Sequence, residues 1–588
     1  MQNLEALLEA RNRHISQALS IAHGSPLHIV RGEMQYLHAS DGTRYLDLVN
    51  NVSHVGHCNP HVVEAGQRQM AVLNTNSRYV YPGLTEYLSR LASTLPDALS
   101  IGFMVNSGSE ANELAVRLAR AHTGNHDMTV IDGAYHGHTG MLIDLSPYKF
   151  RGPGGKGEPE PWVHVLPIPD SYRRPDSEFN EEVRAGISEA GPVAGLLIES
   201  MLSCAGQVPL PDGYLEEAAS SIRGVGGLLI ADEVQVGFGR GGSHMWAFEE
   251  SGVTPDIVVM GKPIGNGHPM AAVFTTPEIA SSFGDMEFFS TFGGNPVSCA
   301  IGMAVMDVIE GDRLMERASE LGDRFRYGLE SLGESHELIG DIRGRGLFLG
   351  IEMVRDRATL EPARKEASAI VDSMREQGVL LSTDGPLLNV IKIMPPMVLN
   401  EEDVDETLSK IELCLSENRR NKTYAYCDSR FVMEQEGQPQ AQQFGAPAFS
   451  PRPQQMMGFM DALTTVFRNK YATFSGRASR SEYWWAYLGY FAIATVLQIF
   501  AIIGGIILID AGELALLPTL IAIVSIVAMI IPTIAVSVRR MHDTGKSGWM
   551  LLILIIPCIG FILWIVWMVE DGQAHDNAYG PVPTNTME

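Results

Sequence analysis

The sequence predicts an α/β fold with a mostly parallel sheet, followed by an all-α membrane module. Three observations carry this. Through residues 1 to about 420, short apolar runs alternate with helical patterns and glycine-rich turns. The runs in GGLLIADEVQ and PDIVVMGK stop at polar residues, as strands do at the edge of a ligand-binding sheet. Three long apolar runs lie near the end of the chain.

Taken in order, FMVNSGSEANELAVRLARAH reads as a strand, a tight turn and an amphipathic helix. LLIAD is a strand ending at Asp232, and IVVM a strand ending at Gly261 and Lys262. The expected division is a large domain over about 50–300 and a small α/β domain from 1–49 and 301–420. Residues 421–457 contain EQEGQPQAQQFGAPAFSPRPQQ, poor in aliphatic and rich in Gln and Pro, which reads as a flexible linker. Residues 458–588 form a membrane domain of about three helices, with spans expected at 483–509, 514–538 and 549–569.

Charge supports this partition. The formal charge is −26, and residues 1–455 hold 36 Lys+Arg against 60 Asp+Glu. So acidic a body excludes a nucleic-acid surface. Six cysteines stand apart with no CxxC pair, which points to reduced thiols and to no metal site. The opening MQNLEALLEARNRHI is charged and amphipathic, without a signal-peptide pattern. Arg468, Lys470, Arg477 and Arg480 precede the first span, and Arg539, Arg540 and Lys546 follow the second. The positive-inside rule then places residues 1 to 482 in the cytoplasm and the C-terminus outside. Trp484, Trp485, Trp549, Trp564 and Trp567 suit interfacial belts.

Lys262 is the pivotal residue. A partly desolvated lysine at the C-terminal lip of a parallel sheet has a lowered pKa and can form a Schiff base. A cofactor acting as an electron sink needs a carboxylate at its ring nitrogen, and Asp232 stands thirty residues upstream at a strand end. Ser107, Gly108 and Ser109, just before the helix from Glu110, offer donors to a phosphate, although an N-cap alone uses the same residues. Tyr135 is a stacking partner for a ring.

With NSGSEANE, YHGH, IADEVQVGFGRGG, GKPIGNG and STFGGNP in this order, residues 1 to about 420 resemble the class III, fold-type I pyridoxal-phosphate aminotransferases. The resemblance implies Lys262 as the Schiff-base lysine and Asp232 as the pyridinium partner. It implies Tyr135 stacking on the ring, His136 among the cofactor-binding residues, Gln235 near the ring's 3-hydroxyl, and Ser107, Gly108 and Ser109 on the phosphate. It also implies Thr291 reaching the cofactor of a second subunit, hence a homodimer with shared sites.

Within the class, NNVSHVGHCNP, LNTNSRYVY, DLSPYKF, ESMLSCAGQ and GKPIGNGHPMAAVFTT resemble the ethanolamine-phosphate and 5-phosphohydroxylysine phospho-lyases. The amino-acid aminotransferases clamp a carboxylate with an arginine and restrain it with a glutamate. Lys392 in VIKIMPP and Cys204 in SCAG stand at those places here. A lysine is a point charge, not a bidentate fork. The implied activity is loss of phosphate from phosphoethanolamine or a similar 2-aminoalkyl phosphate. Asn50, Asn51, His54, Arg78, Tyr81 and Lys392 are the candidate substrate contacts. The alternatives are an ω-amine:keto-acid transaminase and a cofactor-binding sensory membrane protein. The tail, with FRNKYATFSGRASRSEYWW and VRRMHDTGKSGWMLLILIIPCIG, resembles a small bacterial inner-membrane domain of unknown function. In it His542 and Asp543, with Arg539 and Arg540, are expected to form a structural loop.

Overall fold

Runs rich in branched aliphatic residues and closed by Gly or a polar residue become the strands of one central sheet. In the computed structural model these are β1 (Ile101–Val105), β2 (Met128–Ile131), β3 (Val163–Leu166), β4 (Gly195–Glu199), β5 (Leu228–Asp232), β6 (Ile257–Met260) and β7 (Ala271–Thr275). The described residues are 4–431, 459–507, 516–555 and 559–570, apart from positions 17, 24, 285, 476 and 545. They fall into two compact units, residues 1–434 and 435–588.

The sheet order is β1-β7-β6-β5-β4-β2-β3. The contacts from β6 through β3 are all parallel, and β7 runs antiparallel to both of its neighbours. Helix Gly108–Thr123 starts at the N-cap Ser107, whose hydroxyl accepts from the Glu110 N–H, and ends at Gly124 with φ +71°. It buries Leu114, Val116 and Leu118 against one face of the sheet. Each such side chain contributes about 1.5–3 kcal/mol. A larger cluster covers the other face, including Leu196, Ile198, Leu229 and Val258. Alternate residues of one strand thus enter different cores, as a sheet buried on both sides requires.

A second sheet follows, in which Ile339–Arg345, Phe348–Asp356, Val390–Ile393 and Ser382–Asp384 pair antiparallel in that order. Helix Glu401–Phe431 runs through the first eleven residues of the expected linker. That stretch has no Gly or Pro, which begin only at Gly437 and Pro439. Residues 432–457 lie outside the described residues.

In the second unit, helices Arg480–Ile507 and Leu517–Asp543 are long and apolar enough to cross a membrane. The third expected span is not one helix. It is a 3-10 segment, Gly548–Ile555, and a helix, Ile559–Val569, with Pro557 in the sequence between them. A proline lacks the N–H that a continuous helix needs. The end of this run returns to its start: Lys546 pairs with Glu570, Arg540 donates to the Met568 carbonyl at 3.2 Å, and Arg480 donates to the Val569 carbonyl at 2.8 Å. The expectation of a third continuous span over 549–569 is corrected to a run that folds back on itself, because a hydropathy count measures length and not direction. Asp543 is fully buried, 2.9 Å from Arg477 and paired with Arg540, and Arg539 pairs with Glu482 at 2.8 Å. These buried charges pair with one another within the unit.

Candidate active site

The C-terminal ends of β4, β5 and β6 bring Glu199, Asp232 and Lys262 together. Asp232 is the register partner of Glu199 on one side and of Val259 on the other. Lys262 follows β6 after the single residue Gly261, opens the 3-10 turn Lys262–Gly265 and has φ +35°. A non-glycine residue in the left-handed region is held there against local strain. Burial lowers the Lys262 pKa from the ordinary amine range, and the Lys392 cation adds to this against the opposing charges of Asp232 and Glu199.

Asp232 is 2 % exposed and fully engaged. Its Oδ2 accepts from His136 Nδ1 at 2.7 Å and from Asn112 Nδ2 at 2.8 Å, and Oδ1 accepts from the Val234 N–H at 3.1 Å. His136 therefore orients the carboxylate, a role the sequence reading did not assign to it. Glu199 is wholly buried, and burial, then the neighbouring Asp232, raise its pKa to about 7. His136 Nε2, Asn112 Oδ1 and Glu199 Oε1 are buried without a hydrogen-bond partner among the described residues. Such orphaned groups are costly unless a bound molecule meets them.

The 107–109 turn lies against the same strand ends. A Cβ on Gly108 would stand 3.1 Å from two Val234 carbons, and one on Gly261 equally 3.1 Å from Val234. Ser107 serves as N-cap, and Ser109 Oγ lies 3.0 Å from His138 Nδ1. Gln235 Oε1 accepts from Asn51 Nδ2 at 2.6 Å, which brings Asn51 to the site. Tyr135 is half-buried and meets the Tyr148 ring edge-on, with centroids 6.0 Å apart.

Other sequence-predicted residues lie elsewhere or are already engaged. His54 is fully buried; its Nε2 donates to the Phe238 carbonyl at 2.7 Å and its Nδ1 accepts from Arg240 at 3.0 Å. It is a core residue with no face for a substrate. The Asn50 N–H donates to Asp47 at 2.9 Å. Arg78 pairs with Glu287 at 2.8 Å and lies over the Phe289 ring, while the Tyr81 hydroxyl donates to the Gly294 carbonyl. With exposed Thr291 these make a separate cluster on the 286–294 loop. Lys392 is ion-paired to Asp384 at 3.0 Å. Cys204 is buried beside both, its thiol pushed far up by burial and by Asp384 and Glu199.

Sequence reasoning missed Glu199, Asn112 and Asp384. Glu199 had a signal: it ends LLIE as Asp232 ends LLIAD.

A buried carboxylate oriented by His136, a strained lysine and a turn at a helix start fit a phosphorylated pyridine aldehyde. Comparison with known proteins gives the same answer. Residues 20–415 match the family Aminotransferase class-III, and residues 471–581 match a protein family of unknown function, DUF805. An alanine–glyoxylate aminotransferase 2-like protein of Drosophila melanogaster is 48% identical over 70% of this chain and 86% of its own. Ethanolamine-phosphate phospho-lyase homolog 1 of Caenorhabditis elegans is 41% identical over 71% of this chain and 94% of its own. The solved structure of an Arthrobacter phospholyase in complex with phosphoethanolamine superposes with a TM-score of 0.67, at 39% identity, over 70% of this chain and 99% of that one. The chain belongs to the class III aminotransferases, enzymes of fold-type I that work with pyridoxal phosphate, and it carries a helical DUF805 region behind the enzyme.

Proposed function

We propose that this protein is a lyase that removes phosphate from phosphoethanolamine or a similar 2-aminoalkyl phosphate. The observation that carries the reading is Lys392. It stands where a carboxylate-clamping arginine is expected, and Asp384 neutralises it at 3.0 Å. A neutral pair is a poor receptor for the α-carboxylate of an amino acid. The Arthrobacter phospholyase, solved with phosphoethanolamine, supports the same substrate class. A transaminase is the second reading, favoured by the Drosophila relative's name.

Pyridoxal phosphate, when bound, supplies an aldehyde for the substrate amine and a ring that accepts electrons. Ser107, Gly108 and Ser109 would hold its phosphate, and Tyr135 and Gln235 its ring. Asp232, fixed by His136 and Asn112, holds a proton at the ring nitrogen. Lys262, its pKa lowered by burial, takes the proton from the carbon bearing nitrogen. The C–O bond to phosphate then breaks, and the electron pair leaves on the phosphate oxygen. The net change is phosphoethanolamine plus water to acetaldehyde, ammonia and phosphate.

The assembly in this reading is a membrane-anchored homodimer. Val72, Tyr79, Val80, Met286 and Phe292 are exposed apolar side chains on the segments around Arg78 and Thr291, which suits burial against a second copy. Thr291 would then serve the second subunit's cofactor. The two apolar helices would anchor the enzyme at the cytoplasmic face of a bacterial inner membrane. Purified protein incubated with phosphoethanolamine and no keto acid tests the function. One phosphate and one ammonia per aldehyde are expected. Turnover that stops after one equivalent and resumes only with a keto acid identifies a transaminase.

A further inference from the structure

Two carboxyls end neighbouring strands in this site, and they are not equivalent. Asp232 has three donors: His136 Nδ1 at 2.7 Å, Asn112 Nδ2 at 2.8 Å and the Val234 N–H at 3.1 Å. Glu199, its register partner, has one, the Ser203 N–H, which reaches Oε2 at 3.0 Å. Its other oxygen, Oε1, is buried with no hydrogen-bond partner among the described residues, and so is His136 Nε2. The groups that face Glu199 are Asp232 on β5, His136 after β2, Lys262 after β6 and the Cys204 thiol on its own segment. Glu233, the other buried acid nearby, is engaged instead by the Ala247 and Phe248 N–H groups at 3.0 and 3.1 Å.

Charge cannot be shared equally between these two acids. Ionised carboxylates side by side and out of water repel, so one of them keeps its proton. Donors stabilise an anion, and they gather on Asp232; Glu199 is left with the proton. We infer that Glu199 is a positioning residue that serves this site as an undissociated acid. Its bound proton leaves Asp232 the one anion among the strand ends, and so keeps the Lys262 nitrogen free to bond and to take protons. Once Glu199 ionises, its charge, like that of Asp232, holds a proton on Lys262. Burial, with Asp232, puts the ionisation of Glu199 at about 7, so the two forms exchange close to neutrality. The inference needs the cofactor but not the choice between lyase and transaminase, since both begin at Lys262.

The test compares full-length wild type with Glu199→Gln, a neutral isostere, and Glu199→Ala, which is neutral but shorter. Protein stripped of cofactor is given pyridoxal phosphate between about pH 6 and 9, and the rate of its uptake on Lys262 is followed by absorbance. In the Gln variant the rate should climb about tenfold per pH unit until the amine is free. Wild type should follow the same line below about pH 7 and then lag, by up to about tenfold, as Glu199 gains its charge. In the holoenzyme the proton on the Lys262 nitrogen, read from the visible spectrum, should leave about one pH unit later in wild type than in either variant. The Ala variant should match the Gln variant, because charge and not shape is at work, and it decides alone if the Gln variant does not fold. Curves that coincide at every pH overturn the inference, because the proton then governs nothing at Lys262. A wild-type lag of one size across the whole range overturns it too, since Glu199 is then ionised throughout. Variants that lag behind wild type, in place of leading it, mark a structural role and overturn it as well.

Discussion

Asp232 and Glu199 are register partners at the ends of neighbouring parallel strands, and both carboxyls are buried. Burial and this neighbour raise Glu199 from an ordinary 4.5 to about 7. The folded chain keeps a proton there that the unfolded chain loses near 4.5. Stability present below 4.5 is therefore lost as pH rises towards 7, by ~3 kcal/mol for this group. Glu199→Gln is expected to remove that slope in cofactor-free protein, as urea midpoints between pH 4.5 and 8 will show. Glu233, also raised to about 7 by burial, leaves a comparable slope in place. An unchanged profile would mean that Glu199 is ionised at neutral pH.

Lys262 at φ +35° separates chemistry from backbone strain. Lys262→Ala and Lys262→Gly should both lose turnover by several orders of magnitude while keeping the fold. Glycine accepts the left-handed conformation, so the Gly variant should be the more stable by about 1 kcal/mol. Equal denaturation midpoints would count against the strain. In wild type, borohydride should fix the cofactor on Lys262 and on no other lysine, as peptide mass mapping will show.

Asp384→Asn leaves the Lys392 ammonium without its anion. A stability loss of about 2 kcal/mol is expected, together with measurable binding of carboxylated amines that wild type rejects. Lys392→Arg should admit such amines weakly without improving phosphate release. Unaltered selectivity in both variants would show that the pair does not govern substrate choice.

Gly137 has φ +149°, and a Cβ there would lie 2.6 Å from Leu142 Cδ1 and 2.7 Å from Ser109 Oγ. Gly137→Ala should displace the Ser109 hydroxyl and speed loss of the cofactor on dialysis, with a stability cost of about 1–3 kcal/mol. Full retention of cofactor would remove Ser109 from the phosphate site.

Reporter fusions test the anchor. A fusion at residue 511 should lie outside, and fusions at 543 and after Glu570 inside, because Glu570 is paired with Lys546. A chain ending at residue 434 should be soluble and active. An outside signal after Glu570 would restore a third crossing.

Legibility followed whether a residue's meaning was local. Lys262 and Asp232 were readable because each polar group closes an apolar run, and the helix from Glu110 because its cap and periodicity lie in one stretch. The partner of Lys392 was not readable. Asp384 meets it diagonally across a hairpin, since Ser382 is the register partner of Lys392 and Val390 that of Asp384. His136 was expected among the cofactor contacts, but its bond through Nδ1 to Asp232, on a strand 96 residues away, was not readable.

In the anchored arrangement proposed above, the fold-back of the last apolar run brings Glu570 beside Lys546, so the two apolar helices would make an even number of crossings. The chain of this unit would then enter and leave through one face, as a staple does. Such an element could be spliced behind a catalyst without reorienting it.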